Sequence, residues 1–142
     1  MPFDRDDWTD LVNRLESAYE FLNQARANPD KKDTLLFYAV MSIWTFGEYA
    51  VNVMLELHQL KPDQNHGQAE SAKALFTAGH LQKDYSQKLH QLERYRKKAS
   101  HKGYARERTV HYSSQNVQDC LEEMLNLKAE VESLFALRGK LP

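Results

Sequence analysis

A chain of 142 residues with a net charge of −1 is sized for one domain with a single sizeable core. Five glycines and four prolines leave too little punctuation for an all-β fold, and the near-neutral balance excludes binding of nucleic acid through overall charge, so any such role must rest on a local patch. The single Cys120 excludes an internal disulfide framework and a four-cysteine zinc site; it fits a reducing cytoplasm and reads as a small packing residue among apolar helical positions.

The N-terminal MPFDRDDW is acidic and lacks an apolar run, so no secretory signal is expected. The first predicted helix covers residues 6–27, where Trp8, Leu11, Val12, Leu15, Ala18, Tyr19, Leu22 and Ala25 keep a 3-4 spacing along one face. Asn28-Pro29-Asp30 ends it and turns the chain. The second helix is predicted over 31–60 and is apolar almost all round, with a polar stripe of Ser42, Thr45, Asn52 and Glu56. The stretch 35–57 is long enough to raise the question of a membrane span, but Glu48 at its centre, Asn52 and several hydroxyls favour a buried central helix and no membrane association.

A short third helix is predicted over 66–78, with Asn65 and Gln68 resembling a capping box and Gly79 as its stop. The fourth runs from Asp84, with Gln87 completing another capping box, to residue 100, and Gly103 is placed to terminate it. A basic, aromatic loop over 101–112 follows. The fifth helix spans 114–137, with Val117, Leu121, Met124, Leu125, Val131, Leu134 and Phe135 on its inner side and the stem of Lys128 lying along it. No repeat, low-complexity tract or long linker divides the chain, so one all-α, five-helix bundle of up-and-down type is expected over 1–142.

Two charges interrupt apolar stripes. On the fourth helix Tyr85, Leu89, Leu92 and Ala99 demand one more buried member, and that position is Arg96. On the second, Met41, Trp44, Val51 and Leu55 are interrupted at Glu48 by the same spacing. An unpaired buried charge costs several kcal/mol, of order 3–5 where one partner of a pair is missing, so Glu48 and Arg96 are expected to lie near one another. Such a pair would either fix helix register or orient Arg96 toward a phosphate. Lys83, His90, Arg94, Lys97 and His101 share the opposite side of the fourth helix, where Lys83 and His90 read as solvated surface.

From Arg94 to His111 seven Lys/Arg (Arg94, Arg96, Lys97, Lys98, Lys102, Arg106 and Arg108) face one acid, Glu107, a local charge of +6. Tyr95, Tyr104 and Tyr112 are interleaved. Basic groups neutralise phosphates and aromatic rings stack on unpaired bases, a combination suited to single-stranded RNA. The bland reading of the same run is a solvated basic surface.

The run Arg94-Tyr95-Arg96-Lys97-Lys98-Ala99-Ser100-His101, at the end of the fourth of five helices, resembles the motif of the HEPN domain family, an Arg followed after four to six residues by His. Arg96 with His101 satisfies it, and so does Arg94 with His101. The resemblance extends from about residue 11 to 135. It implies a metal-independent endoribonuclease acting as a homodimer, with two motifs facing one another across a shared cleft, and no cofactor. His101 would serve as base or acid on the 2′-hydroxyl or the leaving 5′-oxygen, and Arg96 would clamp the scissile phosphate. Lys97, Lys98, Lys102, Tyr104, Arg106 and Arg108 would bind the RNA. His66, His80, His90 and His111 are scattered without ligand spacing, consistent with the absence of a metal.

Members of this family include toxins and defence components, some with a nucleotidyltransferase-type antitoxin. Many active members carry Asn or Asp directly after the Arg; here Lys97 follows Arg96 and Tyr95 follows Arg94. The alternative reading is therefore a catalytically inactive HEPN-like module that binds a nucleotide, RNA or protein through the same cleft.

Overall fold

The apolar 3-4 spacings fold into five helices, α1 (Arg5–Ala27), α2 (Lys32–Leu57), α3 (Gln68–Thr77), α4 (Ser86–Ser100) and α5 (Ser114–Leu137), with a 3-10 turn at Pro29–Lys31. The computed structural model describes residues 5–61, 67–100 and 113–137, and their side chains at 6–61, 67–96 and 113–136. No strand occurs among the described residues.

Helix α2 is the hub. It packs against α1, α3, α4 and α5, whereas among the described residues α1 touches neither α3 nor α4. One layer is thus the α1–α2–α5 triad, and the α3–α4 hairpin lies on another side of α2. By length and composition 29–57 would suffice to cross a membrane. Eleven of the residues of α2, from Leu36 to Leu55, are buried against its neighbours, which accounts for its apolar character without a bilayer.

The inner face of α1 is Trp8, Leu15, Ala18, Leu22 and Ala25, all buried. Trp8 sits 5.7 Å from Phe46 and 5.9 Å from Phe135, ring centre to ring centre, joining α1 to α2 and α5. Its indole N–H donates to Glu132 at 2.9 Å, so the polar end of the ring is satisfied as the apolar body is buried. Two expected inner-face residues depart from the stripe. Tyr19 is 54% exposed and Leu125 45% exposed, because both sit at the edge of their stripes and flank an open groove between α1 and α5.

Helix ends differ from expectation by one to three residues. Helix α2 stops at Leu57, not 60, because Gln59 takes φ 58° and the N–H groups of Gln59 and Leu60 turn back to Glu56 and Leu55 at 3.0 and 2.8 Å. Helix α3 stops in the same way, with Gly79 at φ 82° and the N–H groups of Gly79 and His80 bonded to Phe76 and Leu75 at 3.0 and 2.9 Å. Both are Schellman closures, and the second is the stop expected at Gly79. The two ends meet: the rings of His58 and His80 stack with centres 3.8 Å apart.

Helix α3 begins at Gln68 with Gly67 as N-cap and no side-chain cap, and Asn65, expected to supply one, lies outside the described residues. Helix α4 begins at Ser86 rather than Asp84. The Asp84 carboxylate takes the backbone N–H of Ser86 at 2.9 Å, not that of Gln87. Tyr85, buried and bonded through its hydroxyl to Glu130, offers its carbonyl to the Leu89 N–H at 3.0 Å. Glu130 also accepts the Gln82 N–H at 2.6 Å, so one carboxylate of α5 anchors the α3–α4 connection.

Candidate functional site

The rotation of α4 is set by its apolar stripe. Leu89 and Leu92 are buried, and Leu89 reaches the backbone of α2 at Gly47, where an added Cβ would stand 2.8 Å from its methyl and 3.1 Å from the Met124 sulfur. With that face turned inward, Arg96 one turn later faces α2 as the stripe requires.

Arg96 is half-buried, with 27% of its side chain exposed. Its guanidinium carbon lies over the Trp44 ring, 4.4 Å from the centroid. One guanidinium nitrogen, Nη2, donates to Glu93 Oε1 at 3.1 Å, and the other oxygen of Glu93 accepts the Trp44 indole N–H at 2.7 Å. Cation, ring and carboxylate therefore close a triangle in which each member holds the other two. A guanidinium fixed in this way loses little further freedom when it meets an anion.

Glu48 is not the carboxylate of this triangle. Among the described residues it makes no ion pair with Arg96; the partner is Glu93, three residues before Arg96 on the same helix. The physical reason is reach: positions i and i+3 are neighbours on a helix surface, and Glu93 also meets the indole N–H, which a purely apolar reading of Trp44 leaves without an acceptor. Trp44 and Glu93 are the neighbours of Arg96 that the stripe argument did not pair with it, and the need of a half-buried indole for an acceptor is the signal that points to them. Glu48 instead lies half-buried in a recess of about 280 Å³, together with Trp44, Gly67, Gln68, Ala69, Leu89, His90 and Glu93. The recess and the Arg96 triangle thus share Trp44 and Glu93.

The remaining candidates fall as follows. Arg94 is exposed on α4. His90 is exposed and lies 3.6 Å from Glu70 of α3, and Lys83, in the α3–α4 connection, bonds Glu123 of α5 at 2.5 Å, so both belong to surface pairs between elements. Tyr95 packs against the core and accepts a hydrogen bond from Gln91, which leaves less of its ring for stacking on a base. Lys97 and Lys98 lie in the last turn of α4, outside the described side chains, and His101, Lys102, Tyr104, Arg106 and Arg108 lie outside the described residues.

Elsewhere, an open groove of about 440 Å³ between α1 and α5 runs over Leu15, Tyr19, Leu121 and Leu125. Among the described residues that line it the one cation, Lys128, is paired with Glu132 at 3.1 Å, so the groove is poorly suited to phosphate. Cys120 is buried, and burial pushes its thiol up to about 11, where it is no nucleophile at neutral pH. No group of three or more His, Cys, Asp or Glu among the described residues could hold a metal ion. Compared with protein-family models, curated proteins and solved structures, the chain matches none.

Proposed function

We propose that this chain is a HEPN-type helical protein that binds RNA at the end of α4 and cleaves it without a metal, as a homodimer with two such ends facing one cleft. The observation that carries the reading is the held Arg96: a half-buried guanidinium fixed by Trp44 and Glu93, five residues before His101 in a segment of local charge +6. The five-helix order and the place of Arg96 near the end of the fourth helix, with His101 following in the sequence, support the family resemblance.

The chemistry asks for few parts. RNA carries its own nucleophile, the 2′-hydroxyl. His101 removes its proton or donates one to the leaving 5′-oxygen, and Arg96 neutralises the charge that builds on the phosphoryl oxygens. Arg94, exposed two residues earlier, offers a second cation to the backbone. Basic residues 97–108 extend the track. The setting this implies is a toxin or defence component of the cytoplasm, with a nucleotidyltransferase-type antitoxin as a cognate partner. The second reading, an inactive module that binds nucleotide, RNA or protein at the same place, is favoured by Lys97, which stands where many active members carry Asn or Asp.

The test is cleavage of labelled RNA in excess chelator by the wild type, His101→Ala and Arg96→Ala. Loss of cleavage of 10²-fold or more in His101→Ala is expected for an acid–base group. Cleavage unchanged in that variant excludes His101 as catalyst. A wild type that binds RNA and never cuts it selects the inactive module.

A further inference from the structure

The recess beside Arg96 has features that the clamp itself does not use. Glu48 is half-buried on its wall and has no hydrogen-bond or ion-pair partner among the described residues. Trp44 supplies an aromatic wall, and Gln68 an amide with two donors and an acceptor. The start of α3 also lines it; its N-cap Gly67 contributes no side-chain cap, and although the Glu70 N–H is bonded to the Gly67 carbonyl, those of Gln68 and Ala69 have no acceptor among the described residues. Glu93 is already engaged by Arg96 and Trp44. His90, on the rim, faces Glu70 at 3.6 Å. What remains is one open carboxylate, one amide, a helix N-terminus and a ring.

We infer that this recess is a base-selective pocket for guanine, reading the nucleotide whose phosphate rests on Arg96; the inference rests on the RNA-binding reading above and names what that site selects. A carboxylate offers two acceptor oxygens side by side. Guanine is the base whose Watson–Crick edge sets two N–H donors side by side, at N1 and N2. Adenine, cytosine and uracil have no two adjacent donors along that edge, so each turns at least one lone pair toward Glu48. Guanine O6, an acceptor, is matched by the Gln68 amide or the α3 N-terminus. Contact with the part of the Trp44 ring that Arg96 leaves uncovered suits any base and adds affinity without choice. The pocket also disfavours an organic cation. The negative charge of Glu93 is already met by Arg96, and the helix N-terminus carries partial positive charge.

The experiment is calorimetric titration of the full chain with guanosine, adenosine, cytidine and uridine 3′-monophosphates, and with inosine 3′-monophosphate, which lacks the N2 amino group. The guanosine ligand is expected to bind roughly ten-fold or more tightly than the other three common nucleotides, the discrimination of one bidentate base contact. Inosine should fall between. Glu48→Gln, which keeps shape and replaces one acceptor by a donor, should reduce guanosine to the level of the others. Arg96→Ala should weaken all five together.

Equal binding of the four common nucleotides, or a guanine preference that survives Glu48→Gln, overturns the inference. So does binding of spermidine that Glu48→Gln abolishes in a protein with no nucleotide preference, which would assign the recess to cations. Anisotropy with a mixed-sequence RNA separates the two levels: RNA bound without guanine preference sinks the pocket alone, and neither RNA nor nucleotide bound sinks the pocket and the RNA reading together.

Discussion

Arg96 lies over the ring of Trp44 at 4.4 Å, and both side chains bond opposite oxygens of the same carboxylate, Glu93. The arrangement makes a cation tolerable on the inward face of α4. The ring shields one side of the guanidinium, the carboxylate balances its charge, and part of the group stays wet. A fully buried pair would lose more in desolvation than it gains. Here the exposures of 27% and 34% keep that loss small and leave the cation reachable.

That geometry predicts energetic coupling between the two residues. In a double-mutant cycle of Trp44→Leu and Arg96→Gln, urea unfolding should give a coupling of about 1 kcal/mol, the range of a partly exposed cation–π contact. Additive effects within a few tenths of a kcal/mol would mean that the ring does not hold the guanidinium. Under the proposed function Trp44→Leu should also slow RNA cleavage by about ten-fold, since a clamp left free to swing positions phosphate poorly.

The paired helix stops give a second prediction, of opposite sign at two sites. Gln59 and Gly79 occupy equivalent left-handed positions, at φ 58° and 82°. A side chain there crowds the following carbonyl, by roughly 1 kcal/mol. Gln59→Gly should therefore raise stability by about 0.5 kcal/mol, the gain being trimmed by glycine's freedom in the unfolded chain. Gly79→Ala should lower it by about 1 kcal/mol. No heavy atom lies within 4 Å of a Cβ built at Gly79, so that loss is conformational rather than steric. Chemical denaturation of both variants decides it; a Gln59→Gly protein less stable than the wild type would contradict the account.

The number and order of the helices, and the inward phase of Arg96, were legible because apolar spacing reports the direction of a side chain within its own helix. Which residue meets which across helices was not. The spacing argument put a carboxylate beside Arg96 and chose Glu48 from another helix, whereas Glu93 on the same helix holds it. Periodicity fixes a face but not the distance between two faces, and it counts Trp44 as apolar although one end of its ring is a donor. Stripe edges misled in the same way: Tyr19 and Leu125 keep the inward spacing and still lie half in solvent, where they line a groove between α1 and α5. Helix ends slipped where the backbone, not a side chain, made the cap, as at Gln59.

Asp84 ties the start of α4 to pH. Hydrogen bonds from the Ser86 side chain and backbone hold its carboxyl below the usual carboxylate range, with Lys73 adding a smaller pull in the same direction. A carboxylate with a depressed native pKa contributes its full stabilisation above the unfolded value, about 4, and loses it as pH falls through the lower native value. Asp84→Ala should therefore destabilise by about 0.5 kcal/mol at pH 7, the low end for a side-chain cap, since Asp84 is exposed and stands one residue before the N-cap position. The gap between the two thermal midpoints should narrow steadily below about pH 4. A gap that stays constant down to pH 2 would show that the contribution of Asp84 is not that of an ionised cap.

Gly47 is where α2 lets α4 and α5 come close, and it carries the most severe structural prediction. An alanine Cβ there would press on the ends of two flexible side chains, at 2.8 Å from a Leu89 methyl and 3.1 Å from the Met124 sulfur. Small shifts of those ends would be partly offset by the better helix propensity of alanine, about 1 kcal/mol, so Gly47→Ala should change stability little. Valine adds two methyls in the same space and lowers helix propensity relative to alanine. Gly47→Val should cost about 2 kcal/mol or more, through overpacking. Because Leu89 sets the rotation of α4, the strain should also reach the Arg96 triangle. The tryptophan fluorescence of Gly47→Val should therefore change in the native state, and more so than that of Gly47→Ala. A Gly47→Val protein as stable as the wild type, with unchanged emission, would show that α4 does not rest on α2 at this point.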